Sequence, residues 1–143
     1  MKKMFILFTF LLGAYVMNAQ TDTQVSGPVF TFDEMVVDYG EIDKGADPYR
    51  TFRFTNTGDE PAIIKTAKGS CGCTTPSWPK EPIMPGEASE IQVRYDTNRV
   101  GPFTKTVKLT TNMGDENIIL TIKGKVLKTE DKPSAPKKEK TAF

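Results

Sequence analysis

The sequence predicts an all-β fold: an antiparallel two-sheet sandwich of about seven strands in a single domain. Three observations carry this. Apolar residues recur with period two in seven short segments, which is the signature of half-buried strands. Turn residues break these segments at spacings of about ten residues, as in sandwiches. No window shows the 3.6-residue apolar period of an amphipathic helix.

The chain of 143 residues opens on Met1-Lys2-Lys3, followed by an uncharged, mostly apolar run from Met4 to Met17 and then Asn18-Ala19-Gln20. A basic start, an apolar run and a small exit residue describe a secretory signal peptide over residues 1–19, cleaved after Ala19. The run is short for a bilayer span, which needs about 20 residues. The alternative is a retained N-terminal anchor. Nothing later in the chain is long and apolar enough to cross a bilayer, so no membrane span is expected after cleavage. A polar linker follows, residues 20–28.

The sandwich is assigned to residues 29–126. Val29 to Phe32 and Val36 to Tyr39 open the series. Tyr49 to Asn56 sends Phe52 and Phe54 one way and Thr51, Arg53 and Thr55 the other. Ala62 to Ala67 is the fourth segment. Ala88 to Asp96 opposes Ile91, Val93 and Tyr95 to Glu90, Gln92 and Arg94. Phe103 to Thr111 and Asn117 to Val126 close the set. Between them, Asn56-Thr57-Gly58-Asp59 and Met84-Pro85-Gly86-Glu87 are turn sequences, with proline fixing one angle and glycine free to take positive φ. Residues 127–143 are expected to be a disordered lysine-rich tail. Lys128 to Lys140 holds five lysines and two prolines and has no large apolar side chain to offset ordering entropy.

Charge excludes one class of partner. Removing Lys2 and Lys3 from 19 basic residues leaves 17 against 18 acidic ones, a net charge of −1. Both signs are scattered, so there is no electrostatic footprint for nucleic acid. Catalysis has little support either. The chain contains no histidine, the usual acid–base group near neutrality, and no phosphate loop or nucleophile elbow. It is read as a non-enzyme without a cofactor.

The chemistry that remains is sulfur. Cys71 and Cys73 are the two cysteines of the chain and bracket Gly72, in Lys68-Gly69-Ser70-Cys71-Gly72-Cys73-Thr74-Thr75-Pro76. This stretch reads as a loop. Three readings stay open. The first is an intraloop disulfide, with Gly72 supplying a bend that larger residues resist. The second is a soft-ion site, Cu(I) above all, with Met84 and Met113 as thioether partners if the fold brings them near. The third is two cysteines shaping a loop, with Ser70 and Thr74 bonding the local backbone. Lys65, Lys68 and Lys80 would lower a thiol pKa if close in space. Trp78, in Pro76-Ser77-Trp78-Pro79, is a core residue, a cover for the sulfurs or a partner-facing anchor.

Phe52-Arg53-Phe54-Thr55-Asn56-Thr57-Gly58-Asp59-Glu60-Pro61 resembles the hallmark of immunoglobulin-like domains of the hydin and sperm-protein type and of the pilus chaperones. Ser70-Cys71-Gly72-Cys73-Thr74, Pro85-Gly86-Glu87, and Gly101-Pro102-Phe103 through Thr111-Asn112 narrow the likeness. Together they resemble an exported bacterial family, common in Bacteroidetes: domain-of-unknown-function family 1573. The resemblance covers roughly Phe30 to Val126. It implies an immunoglobulin-like sandwich with a role in binding or assembly, and no established enzymatic activity. No residue-by-residue match to the chaperones' anchor residues is seen. The expected function is an exported, non-catalytic binding or assembly module of the envelope, periplasmic or secreted. It would meet an envelope or extracellular protein through an edge strand and the loop from Ser70 to Pro79. The rival is a thiol-redox or Cu(I)-binding protein using Cys71 and Cys73. The oligomeric state is not legible.

Overall fold

The computed structural model describes residues 26–128. The expected signal peptide, most of the linker and nearly all of the tail lie outside the described residues. Eight strands form: β1 (Phe30–Phe32), β2 (Val36–Asp43), β3 (Tyr49–Asn56), β4 (Ile64–Gly69), β5 (Thr74–Ser77), β6 (Ala88–Tyr95), β7 (Gly101–Thr111) and β8 (Ile118–Leu127). One sheet has the order β1-β3-β6-β5 and the other β2-β8-β7-β4. No helix occurs among the described residues.

Two expectations need correction. There are eight strands, not about seven, because Thr74–Ser77 forms a strand inside the segment read as a loop. The sandwich is not wholly antiparallel either, since β2 pairs with β8 in parallel. A parallel pair cannot be closed by a tight hairpin, so no local turn sequence announces it. Several boundaries also shift: β2 runs on to Asp43 and β7 starts at Gly101. Ala62 makes only an isolated bridge to Ile83, and the fourth strand starts at Ile64. β8 runs on through Leu127.

Period two does what it predicts. Phe52, Phe54, Ile91 and Val93 of one sheet face Val107, Leu109, Leu120, Ile122 and Val126 of the other, all nearly or fully buried. The inward side chains on β3 and β6 alternate with exposed Arg53, Glu90, Gln92 and Arg94. Phe30 and Phe32 cap one end of this core against Phe54, at ring distances of 4.6 and 5.2 Å.

The parallel pair β2–β8 carries a bulge. Asp38 pairs with Lys123 and Glu41 with Lys125, so Tyr39 and Gly40 together face Gly124. Gly40 adopts φ 67° there. A Cβ at Gly124 would stand 2.8 Å from Tyr39 Cβ, so glycine is what admits the tyrosine to the core. Tyr39 packs edge-on against Phe103, and Tyr95 stacks on Phe103 at 3.8 Å. The Tyr39 hydroxyl donates to the Pro48 carbonyl at 3.0 Å.

Burial pushes the Tyr39 phenol up from 10.0 to about 12, against the opposing charge of Arg50. The folded state therefore favours the neutral phenol. The stability this contributes is complete below pH 10 and is lost as pH rises through about 12. Denaturant midpoints measured across that window are expected to fall, and Tyr39→Phe is expected to flatten part of the fall. Burial raises Tyr95 in the same direction, so the flattening will be incomplete.

Candidate functional site: a sulfur hairpin joining two sheet edges

β4 and β5 are edge strands, one in each sheet. They lie on the same side of the sandwich because the chain passes directly from one to the other. β4 ends at Gly69, in register with Val107. The next residue keeps the pairing: the Ser70 N–H donates to the Thr106 carbonyl at 2.8 Å, and the Thr106 N–H donates to Ser70 Oγ at 3.1 Å. The chain then leaves this sheet. Cys71-Gly72-Cys73 makes the crossing, closed by the Thr74 N–H donating to the Cys71 carbonyl at 3.2 Å. On the far side, the Asp96 N–H donates to the Cys73 carbonyl at 2.9 Å, and Thr74 takes its place opposite Tyr95.

The structure pairs Cys71 with Cys73 as a disulfide, with Cα atoms 5.2 Å apart, inside the usual range of about 4.4–6.8 Å. The two sulfurs differ in surroundings. Cys73 is 6% exposed and belongs to the core, whereas Cys71 is only partly buried against it. Thr74 Oγ1 lies 3.6 Å from Cys71 Sγ and 3.8 Å from Cys73 Sγ. The bend does not depend on Gly72 in the way the sequence suggests. Gly72 is not among the glycines with positive φ, and a Cβ there meets nothing within 4 Å. The required glycine is Gly69, where a Cβ would collide with the Thr74 carbonyl.

Trp78 fixes the other end of the segment. Its Nε1–H donates to the Ile64 carbonyl at 3.2 Å, and the Lys80 ammonium lies over its ring, 2.9 Å from the centroid. It packs partly buried against the core and reaches back to the start of β4, at the end of that strand away from the cysteines. The run from Ser70 to Pro79 is thus stitched to the β4–β7 sheet at both ends, with β5 between.

Other sequence-predicted neighbours are not brought to the sulfurs. Lys68 is an exposed residue in register with Lys108, and Lys80 is taken up by Trp78. Met84 opens the turn that leads into the first residue of β6, while Cys73 meets the chain just after the last. Met113 follows the end of β7 that faces Ile64, not Gly69. The thioether partners offered for copper therefore sit at the opposite end of the sandwich. Among the described residues, no group of three or more His, Cys, Asp or Glu side chains could hold a metal ion.

Sequence reasoning missed one strand of this site and one residue that ties the sandwich together at its other end. β5 was hidden because Pro76 lacks an N–H and suggests a loop. The β-branched pair Thr74-Thr75 was the available signal, and an edge strand tolerates proline. Asn56 reads in the sequence only as a turn former, yet it is fully buried and its amide bonds four backbone groups.

A family model described as "Protein of unknown function (DUF1573)" matches residues 30–126. No curated protein matches the chain. Among solved structures, a protein of unknown function from Porphyromonas gingivalis W83 is similar, with TM-score 0.61 and 14% identity over 76% of this chain and 51% of that one. The VesB protease of Vibrio cholerae aligns with TM-score 0.54 and 15% identity, over 67% of this chain and 31% of its own. A PapD-like domain of human CEP192 aligns with TM-score 0.58 and 5% identity, over 69% and 85%. The chain thus spans about half of the first structure and a third of the protease. At these identities the likeness is one of fold, immunoglobulin-like and PapD-like.

Proposed function

The chain belongs to the DUF1573 family of proteins of unknown function, and we propose that it is an exported, non-catalytic binding or assembly module of the cell envelope. Its partner is a protein that adds to the side of the sandwich formed by β4 and β5. The observation that carries this reading is the placement of the segment from Ser70 to Pro79. It joins an open edge of one sheet to an open edge of the other, so one partner can meet two rows of backbone donors and acceptors at once. Lys65, Thr66 and Lys68 are exposed along β4, and Thr75 and Ser77 along β5.

The two edges on the other side are less open. β1 has three residues. β2 carries Asp38 and Glu41, which are ion-paired with Lys123 and Lys125 of β8 at 3.5 and 3.0 Å. Export is supported by the form of residues 1–19, and the non-catalytic reading by the absence of histidine from the chain.

Site-directed photo-crosslinking in the native envelope tests this. A photoreactive residue at Thr66 or Ser77 is expected to give one reproducible protein adduct, and the same residue at Thr31 or Val36 to give none. Adducts confined to Thr31 or Val36, or spread evenly over all four positions, would overturn it.

A further inference from the structure

We infer that the Cys71–Cys73 disulfide is an exchange-active oxidant of thiols, with Cys71 as the sulfur that accepts attack. This goes beyond the binding reading and does not rest on it. Three observations carry it: the asymmetry of the two sulfurs, the hydroxyl beside them, and the independence of the hairpin from the bond.

Exchange requires a thiolate to reach one sulfur while the other leaves. Cys71 is partly exposed and adjoins exposed Gly72, whereas Cys73 is 6% exposed and set into the core. An incoming thiolate therefore meets Cys71. The RS–Cys71 bond forms, the Cys71–Cys73 bond breaks, and the electron pair leaves on Cys73 Sγ. The Thr74 hydroxyl, 3.8 Å from that sulfur, is placed to donate to the new thiolate. A second thiolate, on the same molecule or another, then attacks the substrate sulfur of the mixed disulfide and releases Cys71 as thiolate. Two thiols become one disulfide, and Cys71 and Cys73 take up the two electrons and two protons.

The fold permits this because the bonds that hold the hairpin to its two sheets do not pass through sulfur. Ser70 is bonded to Thr106, Thr74 to the Cys71 carbonyl and Asp96 to the Cys73 carbonyl through backbone groups and the Ser70 hydroxyl alone, so opening the ring removes none of their donors or acceptors. With a sequence separation of 2, the bond closes almost no loop, so it removes little entropy from the unfolded chain. A bond that stabilises the native state so little has small reason to be there as a staple. It can open and close while both sheets stay in place.

The test uses the exported, disulfide-bonded chain with reduced glutathione as probe, quenched in acid and mapped by mass spectrometry. The expected result is a mixed disulfide on Cys71 in at least tenfold excess over Cys73, formed while the circular dichroism of the folded protein is unchanged. Thr74→Val should slow the exchange several-fold and leave the spectrum intact. Adduct on Cys73 in equal or greater amount would overturn the assignment of Cys71. A bond that resists glutathione until the chain is denatured would overturn the exchange activity itself. A Thr74→Val variant that exchanges at the parent rate would remove the hydroxyl from the proposal.

Discussion

Asn56→Leu is expected to be among the most destabilising single substitutions in this chain. The side chain it removes is fully buried and uses both ends of its amide. Nδ2 donates to the Glu60 and Ile83 carbonyls, each at 2.8 Å. Oδ1 accepts from the Gly58 N–H at 3.1 Å and, more weakly, from the Val29 N–H at 3.3 Å. These partners lie before β1, in the turn after β3 and on the segment before β6, so one amide ties three separate stretches together. Leucine keeps the volume and removes every bond. Each buried group left unsatisfied costs about 1–3 kcal/mol, so the loss should be about 4 kcal/mol, a large part of the 5–15 kcal/mol typical of a domain. Thermal unfolding should show it as a fall in Tm of roughly 20 °C. The first amides to lose protection should be those of Gly58 and the start of β1. A loss under about 1 kcal/mol would mean that water replaces the amide and that the turn is held by its backbone alone.

Gly69→Ala is the second large effect. A Cβ at this position would collide with the Thr74 carbonyl, and Thr74 Cβ would stand at 3.1 Å. The obstacle is backbone, which cannot rotate away. The hairpin must open, drawing β5 off β6 or β4 off β7. Forcing one carbon into such a contact costs about 2–3 kcal/mol. Gly72→Ala, three residues on, is the internal control. Its Cβ would point into open space, and its effect should stay within about 0.5 kcal/mol. Hydrogen exchange should place the damage of Gly69→Ala in Thr74–Ser77 and leave β3 and β8 unchanged. Equal costs at the two glycines would contradict the tight approach of β4 and β5.

What the sequence made legible follows from which forces are local. The alternation in Tyr49–Asn56 and Ala88–Tyr95 is a property of the strand itself, and so the core residues Phe52, Phe54, Ile91 and Val93 could be read directly. The turn Met84-Pro85-Gly86-Glu87 was equally plain, and the structure closes it with the Glu87 N–H donating to the Met84 carbonyl at 2.9 Å and Gly86 at φ 79°. The parallel pairing of β2 with β8 was not legible, because it joins segments about 85 residues apart with no turn between them. β5 was masked by Pro76, whose missing N–H costs nothing on an edge.

The site divides in the same way. Cys71 and Cys73 stood out by type and spacing, and Trp78 as the single tryptophan. The glycine this crossing needs is Gly69 and not Gly72, for close approach and not for a bend, because steric need at a crossing depends on what lies opposite, here Thr74. The unequal burial of the two sulfurs is likewise a consequence of packing. Alternation cannot reveal it, since the residues lie two apart and would point to the same face of a strand.

The proposal that β4 and β5 together form the contact surface is tested most directly by amide hydrogen exchange. The chain would be compared alone and in complex with the protein captured by crosslinking. The account predicts that slowed exchange is gained in Ile64–Gly69 and Thr74–Ser77 together, with little change in Phe30–Phe32 and Val36–Asp43. Protection gained at β1 or β2 and not at β4 and β5 would contradict it.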